Sequence, residues 1–207
     1  MRVAIIGASG RSGRAAAIHA LAAGHEVVSV VRSPAKAPEG TAVFEADARD
    51  ITALAAAIAG ADAVISALGH VKADDDRTLL QDGATALVPA LASTGVKRVI
   101  AISAAGAYVA GDDPLSRFLA KPLLERFLKD NNVDTRAMDD VIQSSPTAWT
   151  ILRPSRLIPG EKSGDYRAGV DKAVWWHYNT RFDTVGRAAI DALARPDWIG
   201  RAVYITG

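Results

Sequence analysis

Short apolar runs and longer amphipathic stretches alternate along the chain. The short runs are rich in Val and Ile and do not extend far enough to form helices, so they predict strands. Seven such strands are expected, at 2–6, 27–31, 41–45, 63–66, 96–103, 149–152 and 202–206. Helices are expected between them, at 14–23, 51–59, 77–93, 115–129, 135–144 and 184–193. Because the strands are apolar throughout, the alternation predicts an α/β fold, with a parallel sheet covered by helices on both faces.

Residues at the expected helix ends support these boundaries. Gly24 and Gly60 stand just after two of the helices, where a left-handed residue commonly ends a helix, and Asp50 stands at an N-cap position. Pro89 lies within a third helix and predicts a kink. Since no repeat, linker or low-complexity tract interrupts the pattern, we expect a single domain spanning residues 1–207.

Composition narrows the classes of function. The 207 residues include 24 Lys and Arg against 23 Asp and Glu, with no basic cluster, which argues against a nucleic-acid partner. No Cys is present and the four His residues do not have metal-ligand spacing, so neither a disulfide framework nor a metal site is expected. Three consecutive carboxylates, Asp74 to Asp76, are better explained as a helix N-cap than as a metal site.

The hydrophobic segments are all short. The apolar run within the opening MRVAIIGASG is shorter than the core of a secretory signal. No stretch approaches the roughly 18 apolar residues of a membrane-spanning helix. We therefore expect a cytoplasmic protein without membrane association.

The most informative motif is GASGRSG, which joins the first strand to the first helix. Glycines at such a turn allow a tight bend, a close approach of the backbone to a pyrophosphate, and close packing of helix on strand. The amino terminus of the helix then offers free N–H groups to the phosphate. The flanking strand and helix favour a Rossmann-like dinucleotide site over a merely structural turn. The predicted contacts are Gly7, Ser9, Gly10, Arg11, Ser12 and Gly13.

The end of the second strand indicates which dinucleotide is preferred. A carboxylate there would bond the ribose 2′-hydroxyl of NAD and repel the extra phosphate of NADP. This chain instead has Arg32 and Ser33, with Lys36 nearby, and a guanidinium can bond a 2′-phosphate in a forked geometry. The sequence therefore predicts NADP(H) in preference to NAD(H), the alternative being that Arg32 is a solvated surface residue.

Further candidate contacts follow the other strands, because ligands of open α/β sheets bind at the carboxyl ends of strands. Asp47 and Ala48 follow the third strand, and Asp47 either meets an adenine amino group or caps a local turn. Small residues follow the fourth and fifth strands, where a flat ring and a ribose can lie against the backbone. These candidates are Ser66, Ala67, Leu68, Gly69 and Ser103.

Together these segments resemble the atypical short-chain dehydrogenase/reductase group with an NAD(P)H-binding fold, which includes NmrA-like proteins and the biliverdin/flavin reductase B type. A later block, MDDVIQSS at 138–145 leading into TILRP at 150–154, is similar as well. The resemblance implies a doubly wound Rossmann-like sheet of order 3-2-1-4-5-6-7, with the nicotinamide close to the residues after strands five and six. It thereby implies Ser103 and Arg156 as catalytic candidates, and Pro154 and Ser155 as cofactor contacts.

The chain departs from the ordinary short-chain dehydrogenases in lacking their YxxxK pair, in which Tyr transfers a proton and Lys lowers its pKa. Lys121 lies too far upstream to align with a lysine that some atypical relatives carry. Two functions remain open. One is reduction by NADP(H) of a small planar or carbonyl acceptor, such as a flavin or a quinone. The other is a non-catalytic NADP(H) sensor that regulates a protein partner.

One dense aromatic cluster has no assigned role. It consists of Trp175, Trp176, His177 and Tyr178. Such a cluster can cover a substrate, stack on a planar ring, form a subunit interface or pack in the core, and the sequence leaves these alternatives open.

Overall fold

Eight strands form one sheet in the computed structural model, which describes residues 1–70, 77–108, 121–160 and 165–207, of which 121–130 are described as helix backbone. The strand order is β3-β2-β1-β4-β5-β6-β10-β8. Neighbouring strands pair in parallel except for β8, which is antiparallel to β10. The strands are β1 (Arg2–Ile6), β2 (Glu26–Val31), β3 (Ala42–Glu45), β4 (Ala63–Ser66), β5 (Arg98–Ile102), β6 (Ala148–Pro154), β8 (Arg167–Val170) and β10 (Arg201–Thr206). The expected order is confirmed and is extended by β8.

The described ranges contain five α-helices, which cover both faces of the sheet. Successive strand residues point to opposite sides, so each face of the sheet buries its own set of apolar side chains. In β1, Val3 and Ile5 are buried against α1 and α5, while Ala4 and Ile6 are buried against the core that contains α2, α3 and α4. The helices are α1 (Arg11–Ala22), α2 (Ile51–Ile58), α3 (Leu79–Thr94), α4 (Lys121–Gln143) and α5 (Phe182–Asp191). The predicted α/β fold with both faces covered is therefore confirmed.

Two glycines allow backbones to approach closely on the α1 side of the sheet. A Cβ on Gly186 of α5 would lie 2.5 Å from the carbonyl carbon of Ala15 in α1. A Cβ on Gly13 of α1 would lie 2.3 Å from the carbonyl oxygen of Gly7. Since real Cβ contacts are essentially never shorter than 3.0 Å, only glycine permits this packing. Helix α1 is thus held between α5 and the end of β1.

Some predicted boundaries differ from the structure. Helix α1 begins three residues earlier than expected, because Gly10 serves as its N-cap. Where two helices were expected at 115–129 and 135–144, the described residues form one continuous helix, α4, so that separation was wrong. Residues 115–120 lie outside the described residues, as do Asp74 to Asp76 with the N-cap predicted there.

A second, small sheet was not predicted from the sequence. It pairs β7 (Arg156–Ile158) in parallel with β9 (Asn179–Arg181), three residues each, which is too short for a periodic pattern. Just before β9, the aromatic cluster is exposed: Trp175, Trp176 and Tyr178 keep 51%, 64% and 46% of their surface accessible. Core packing of these three side chains is therefore excluded. None of the helices in the described ranges has the length and apolar content needed to cross a bilayer.

Candidate functional site

A cleft of about 850 Å³ runs along the carboxyl edge of the main sheet. Its floor follows the ends of β1 to β5, and α3 and α4 contribute Leu79, Leu80, Asn131 and Thr135 to its wall. This is where ligands of open α/β sheets bind, and the volume lies within the roughly 300–1,000 Å³ typical of ligand clefts. The structure brings most of the predicted site residues into this lining: Gly7, Ser9, Gly10, Arg11, Ser12, Arg32, Asp47, Ala48, Ala67, Leu68, Gly69 and Ser103.

The turn between β1 and α1 forms a cradle of backbone N–H groups. Gly7 has φ +77°, and a Cβ there would meet the carbonyl oxygen of Ala67 at 2.9 Å, so the turn passes tightly against the end of β4. Gly10 caps α1 without a side-chain acceptor, and the first helical bond runs from Arg14 N–H to the Gly10 carbonyl at 2.8 Å. The preceding helical N–H groups have no helical partner and suit a phosphate. The geometry fits a dinucleotide pyrophosphate.

Positive side chains flank the cradle. Arg32, at the end of β2, is exposed and lines the cleft together with Lys36. Within the described part of the chain, the Arg32 guanidinium has no hydrogen-bond partner, so it is available to a ligand. Arg11 differs, because its guanidinium carbon lies 4.1 Å from the ring centroid of Phe182.

Asp47 lines the cleft but is already engaged locally. Its Oδ1 accepts hydrogen bonds from the Arg49 backbone N–H at 2.9 Å and from Arg49 Nε at 3.2 Å. These bonds hold the pKa of Asp47 below its ordinary value, so it is ionised at neutral pH. The local turn foreseen as one alternative is present, and a contact with an adenine amino group stays a prediction.

A buried polar cluster lies beneath the cleft at the end of β5. Asp139 of α4 is fully buried, and its Oδ2 accepts bonds from Ser103 Oγ at 3.1 Å and Tyr108 OH at 2.6 Å. Arg153 of β6 donates to the same oxygen from Nη2 at 2.9 Å and from Nε at 3.2 Å. The guanidinium of Arg153 also lies 3.4 Å from the centre of the Tyr108 ring and bonds Tyr204 OH at 3.1 Å. Ser103 is the member of this cluster that lines the cleft.

Burial dominates the protonation of this cluster. It raises the pKa of Asp139 above its ordinary value, against the opposing effects of the Tyr108 hydrogen bond and the Arg153 charge. Asp139 Oδ1 is buried without a hydrogen-bond partner among the described residues. Burial and the Asp139 charge raise the pKa of Tyr108 as well, so its phenol stays neutral and donates to Asp139.

Comparison with known proteins agrees with this geometry. The sequence model for the family described as NAD(P)H-binding matches residues 7–196. The chain belongs to the NAD(P)H-binding family. It is 28% identical to the protein YwnB of Bacillus subtilis over 178 residues, covering 84% of this chain and 82% of that protein.

Solved structures of the NAD(P)H-binding fold superpose on the whole chain. One, from Streptococcus pneumoniae and described as a candidate NADH-flavin reductase, has a TM-score of 0.84 at 24% identity, covering 100% of this chain and 99% of that one. Another, a short-chain dehydrogenase/reductase from Veillonella parvula in complex with NADP, has a TM-score of 0.83 at 20% identity, covering 100% and 94%. These likenesses show the fold, and the family model shows the NAD(P)H-binding family that the resemblance implied.

Six predicted site residues of this NAD(P)H-binding chain do not line the cleft: Gly13, Ser33, Ser66, Pro154, Ser155 and Arg156. Gly13 lies behind the cradle against Gly7. Pro154 is buried in β6 beside Ile205, and Ser155 Oγ shares a 2.6 Å hydrogen bond with Thr180 Oγ1. Arg156 is exposed in β7. Cofactor or catalytic contacts by these six residues stay predictions.

Sequence reasoning missed the residues that surround Ser103. Asp139 and Arg153 stand inside blocks that carried the family resemblance, yet neither was assigned a role. One signal was available, because an arginine within the apolar strand WTILRP has to find a buried partner. The identity of that partner was not accessible, since Ser103, Tyr108 and Asp139 are distant in sequence. His70 was set aside as one of four scattered histidines, but it lines the cleft.

Proposed function

We propose that the protein is an NADP(H)-dependent reductase of a small planar or carbonyl acceptor, such as a flavin or a quinone, acting in the cytoplasm. The observation that carries the proposal is the composition of one continuous cleft. A phosphate cradle and the exposed guanidinium of Arg32 line part of it, and a hydroxyl supported by a buried carboxyl lines the part at the end of β5. The first two features suit a phosphorylated dinucleotide, and the third suits orientation of a polar ring.

The preference for NADP(H) is argued from the end of β2. Arg32 lines the cleft at the position where NAD-binding members of this fold place a carboxylate that bonds the ribose hydroxyls. Its guanidinium is exposed and Lys36 is nearby, so a 2′-phosphate would gain two positive neighbours. A ribose without the 2′-phosphate would form neither ion pair, so we propose that Arg32 discriminates NADP(H) from NAD(H).

Ser103 is proposed to orient the reacting rings. Its hydroxyl donates to Asp139 Oδ2, so the oxygen lone pairs are left to accept an N–H from a molecule in the cleft. Arg153 and Tyr108 fix Asp139 from two further directions and thereby fix the rotamer of Ser103. When bound, a reduced nicotinamide supplies the hydride, while the protein supplies position and electrostatics.

The hydroxyl of Tyr108 is not available as the acid of the ordinary short-chain dehydrogenases. It points to Asp139, and burial raises its pKa above the ordinary value. An acceptor that needs little acid–base assistance therefore suits this site better than an alcohol or sugar substrate.

The test is turnover by the purified protein with NADPH or NADH and a panel of flavins, quinones, dyes and aldehydes, followed at the absorbance of reduced nicotinamide. We expect faster turnover with NADPH, at least one flavin or quinone to be reduced, and Ser103→Ala to lower the rate. Ser144→Ala is the matched control, because Ser144 is exposed just after α4 and, among the described residues, its hydroxyl bonds a carbonyl of that helix. Saturable NADPH binding without turnover, together with a partner recovered by pull-down, would contradict the proposal in favour of the sensor function.

A further inference from the structure

A second polar pair, in addition to Ser103 and Asp139, meets the same cleft through its histidine. His70 follows β4 and lines the cleft, with 9% of its side chain exposed. Its Nε2 lies 2.8 Å from Oδ2 of Asp134, whose side chain is completely buried in α4. The same carboxylate accepts the backbone N–H groups of Leu80 at 2.9 Å and Gln81 at 2.9 Å, at the amino terminus of α3.

This network determines which imidazole nitrogen can exchange a proton with a ligand. The Asp134 carboxylate accepts backbone N–H groups on both of its oxygens at the amino terminus of α3, so it meets the imidazole as a hydrogen-bond acceptor. Nε2 of His70 must therefore donate to it, and Nδ1 is the nitrogen left over. Within the described residues Nδ1 has no hydrogen-bond partner.

His70 lies in the part of the cleft where we expect the acceptor to bind, at the ends of β4 and β5. Strands β4 and β5 are neighbours, with Ser66 opposite Ala101, so the residues that follow them share one end of the cleft. The phosphate cradle lies at the end of β1, and Arg32 lies at the end of β2. If a dinucleotide bound with its pyrophosphate in the cradle and its adenosine ribose beside Arg32, the rest of the molecule would be directed toward β4 and β5.

We propose that His70, oriented by Asp134, is the acid that protonates the acceptor; this assignment rests on the reductase function proposed above. When bound, a reduced nicotinamide would supply the acceptor with two electrons and one hydrogen as a hydride. The Nδ1–H bond of the His70 imidazolium breaks as a new O–H or N–H bond forms on the acceptor. Neutral His70 then recovers its proton from water, so acceptor, reduced cofactor and one proton yield reduced acceptor and oxidised cofactor.

The chain contains a matched control for this assignment. His19 of α1 and Asp183 of α5 form a similar pair, with His19 Nε2 at 2.9 Å from Asp183 Oδ1. That pair is partly exposed, at 25% and 23% of the side chains, and does not line the cleft. Removing either imidazole thus removes the same kind of hydrogen bond, but of the two histidines only His70 lines the cleft.

The experiment compares His70→Ala and His19→Ala in steady-state turnover with an acceptor that the unmodified protein reduces, and in NADPH affinity by fluorescence titration. We expect His70→Ala to lose about 10²- to 10⁴-fold in kcat, the typical contribution of a positioned acid. NADPH affinity should stay within about threefold, added imidazole should restore part of the rate, and His19→Ala should match the unmodified protein. Equal kcat in the two variants, or a kcat loss that imidazole does not rescue, would overturn the assignment.

Nuclear magnetic resonance of ¹⁵N-histidine protein separates this inference from the function on which it rests. Titrating the NADP⁺-saturated protein with flavin mononucleotide or a quinone should shift the His70 Nδ1 signal and leave His19 unchanged. A His70 signal that responds to no acceptor overturns the role of His70, even if the protein is an active reductase. A responsive signal in a protein without turnover instead places the failure in the proposed reductase function.

Discussion

Substitution of Gly13 tests the packing that shapes the phosphate cradle. In Gly13→Ala the new Cβ would lie 2.3 Å from the Gly7 carbonyl oxygen and 2.9 Å from the Ala8 Cα, both of them backbone atoms that cannot rotate away. Helix α1 must therefore shift by about 1 Å, and overpacking of this kind typically costs 1–3 kcal/mol. Replacing glycine within a helix contributes about 0.5–1 kcal/mol in the opposite direction. We expect a net loss of about 1–2 kcal/mol in the free energy of unfolding.

The same shift moves the N–H groups that face the phosphates. Loss of one hydrogen bond to a charged group corresponds to about a 10- to 100-fold loss of NADPH affinity. Thermal unfolding should show a Tm lower by roughly 2–8 °C for a chain of this length, and calorimetry should show the weaker binding. Gly106→Ala is the control, because a Cβ at Gly106 meets nothing within 4 Å. If Gly13→Ala matched Gly106→Ala in both measurements, close packing of α1 on the turn would not be what forms the cradle.

Three further substitutions give separate readouts. Arg32→Ala should weaken NADPH binding by about 10- to 100-fold and leave NADH binding nearly unchanged. The control Lys97→Ala, just before β5 at the amino-terminal edge of the sheet, should change neither affinity. Equal losses for both cofactors would refute the role of Arg32 in discriminating between them. Burial raises the pKa of Asp139 in the folded state, so the protonated carboxyl contributes to the free energy of unfolding. This contribution is fully present below the ordinary pKa of 3.8 and is lost as the pH rises through the raised pKa of the folded state. The stability of the unmodified protein relative to Asp139→Asn, from denaturant unfolding, should therefore fall with rising pH, and a difference independent of pH would contradict this. Arg98→Met should lower the free energy of unfolding in urea by about 2–4 kcal/mol, because the guanidinium donates to the carbonyls of Ala148 and Ala192 at 2.6 Å each. An unchanged midpoint of urea unfolding would show that stability does not depend on these hydrogen bonds.

The fold and the phosphate cradle were predictable because their signals are local. The seven expected strands and the helices between them follow from periodicity, and GASGRSG specifies its own turn within seven residues. The order of the sheet came from family resemblance and was confirmed. Strands β7 and β9 were not predictable, since three-residue strands have no period and depend on pairing with each other.

The proton-bearing groups were not predictable because they assemble from distant parts of the chain. Asp139 meets Ser103 and Arg153 only after α4 has packed on the sheet beside β5 and β6. His70 meets Asp134 across 64 positions of sequence. The same packing explains why α4 continues through Asn131 and Asn132, which are poor helix formers: Asn132 and Asp134 are buried against the rest of the domain.

Isothermal titration of the folded protein with NADPH and with NADH tests the central claim most directly. The amino terminus of α1 has no side-chain cap, and the exposed guanidinium of Arg32 lines the same cleft. We predict that this site binds NADPH saturably and more tightly than NADH. The absence of heat and of saturation with either nucleotide at millimolar concentration would contradict the account.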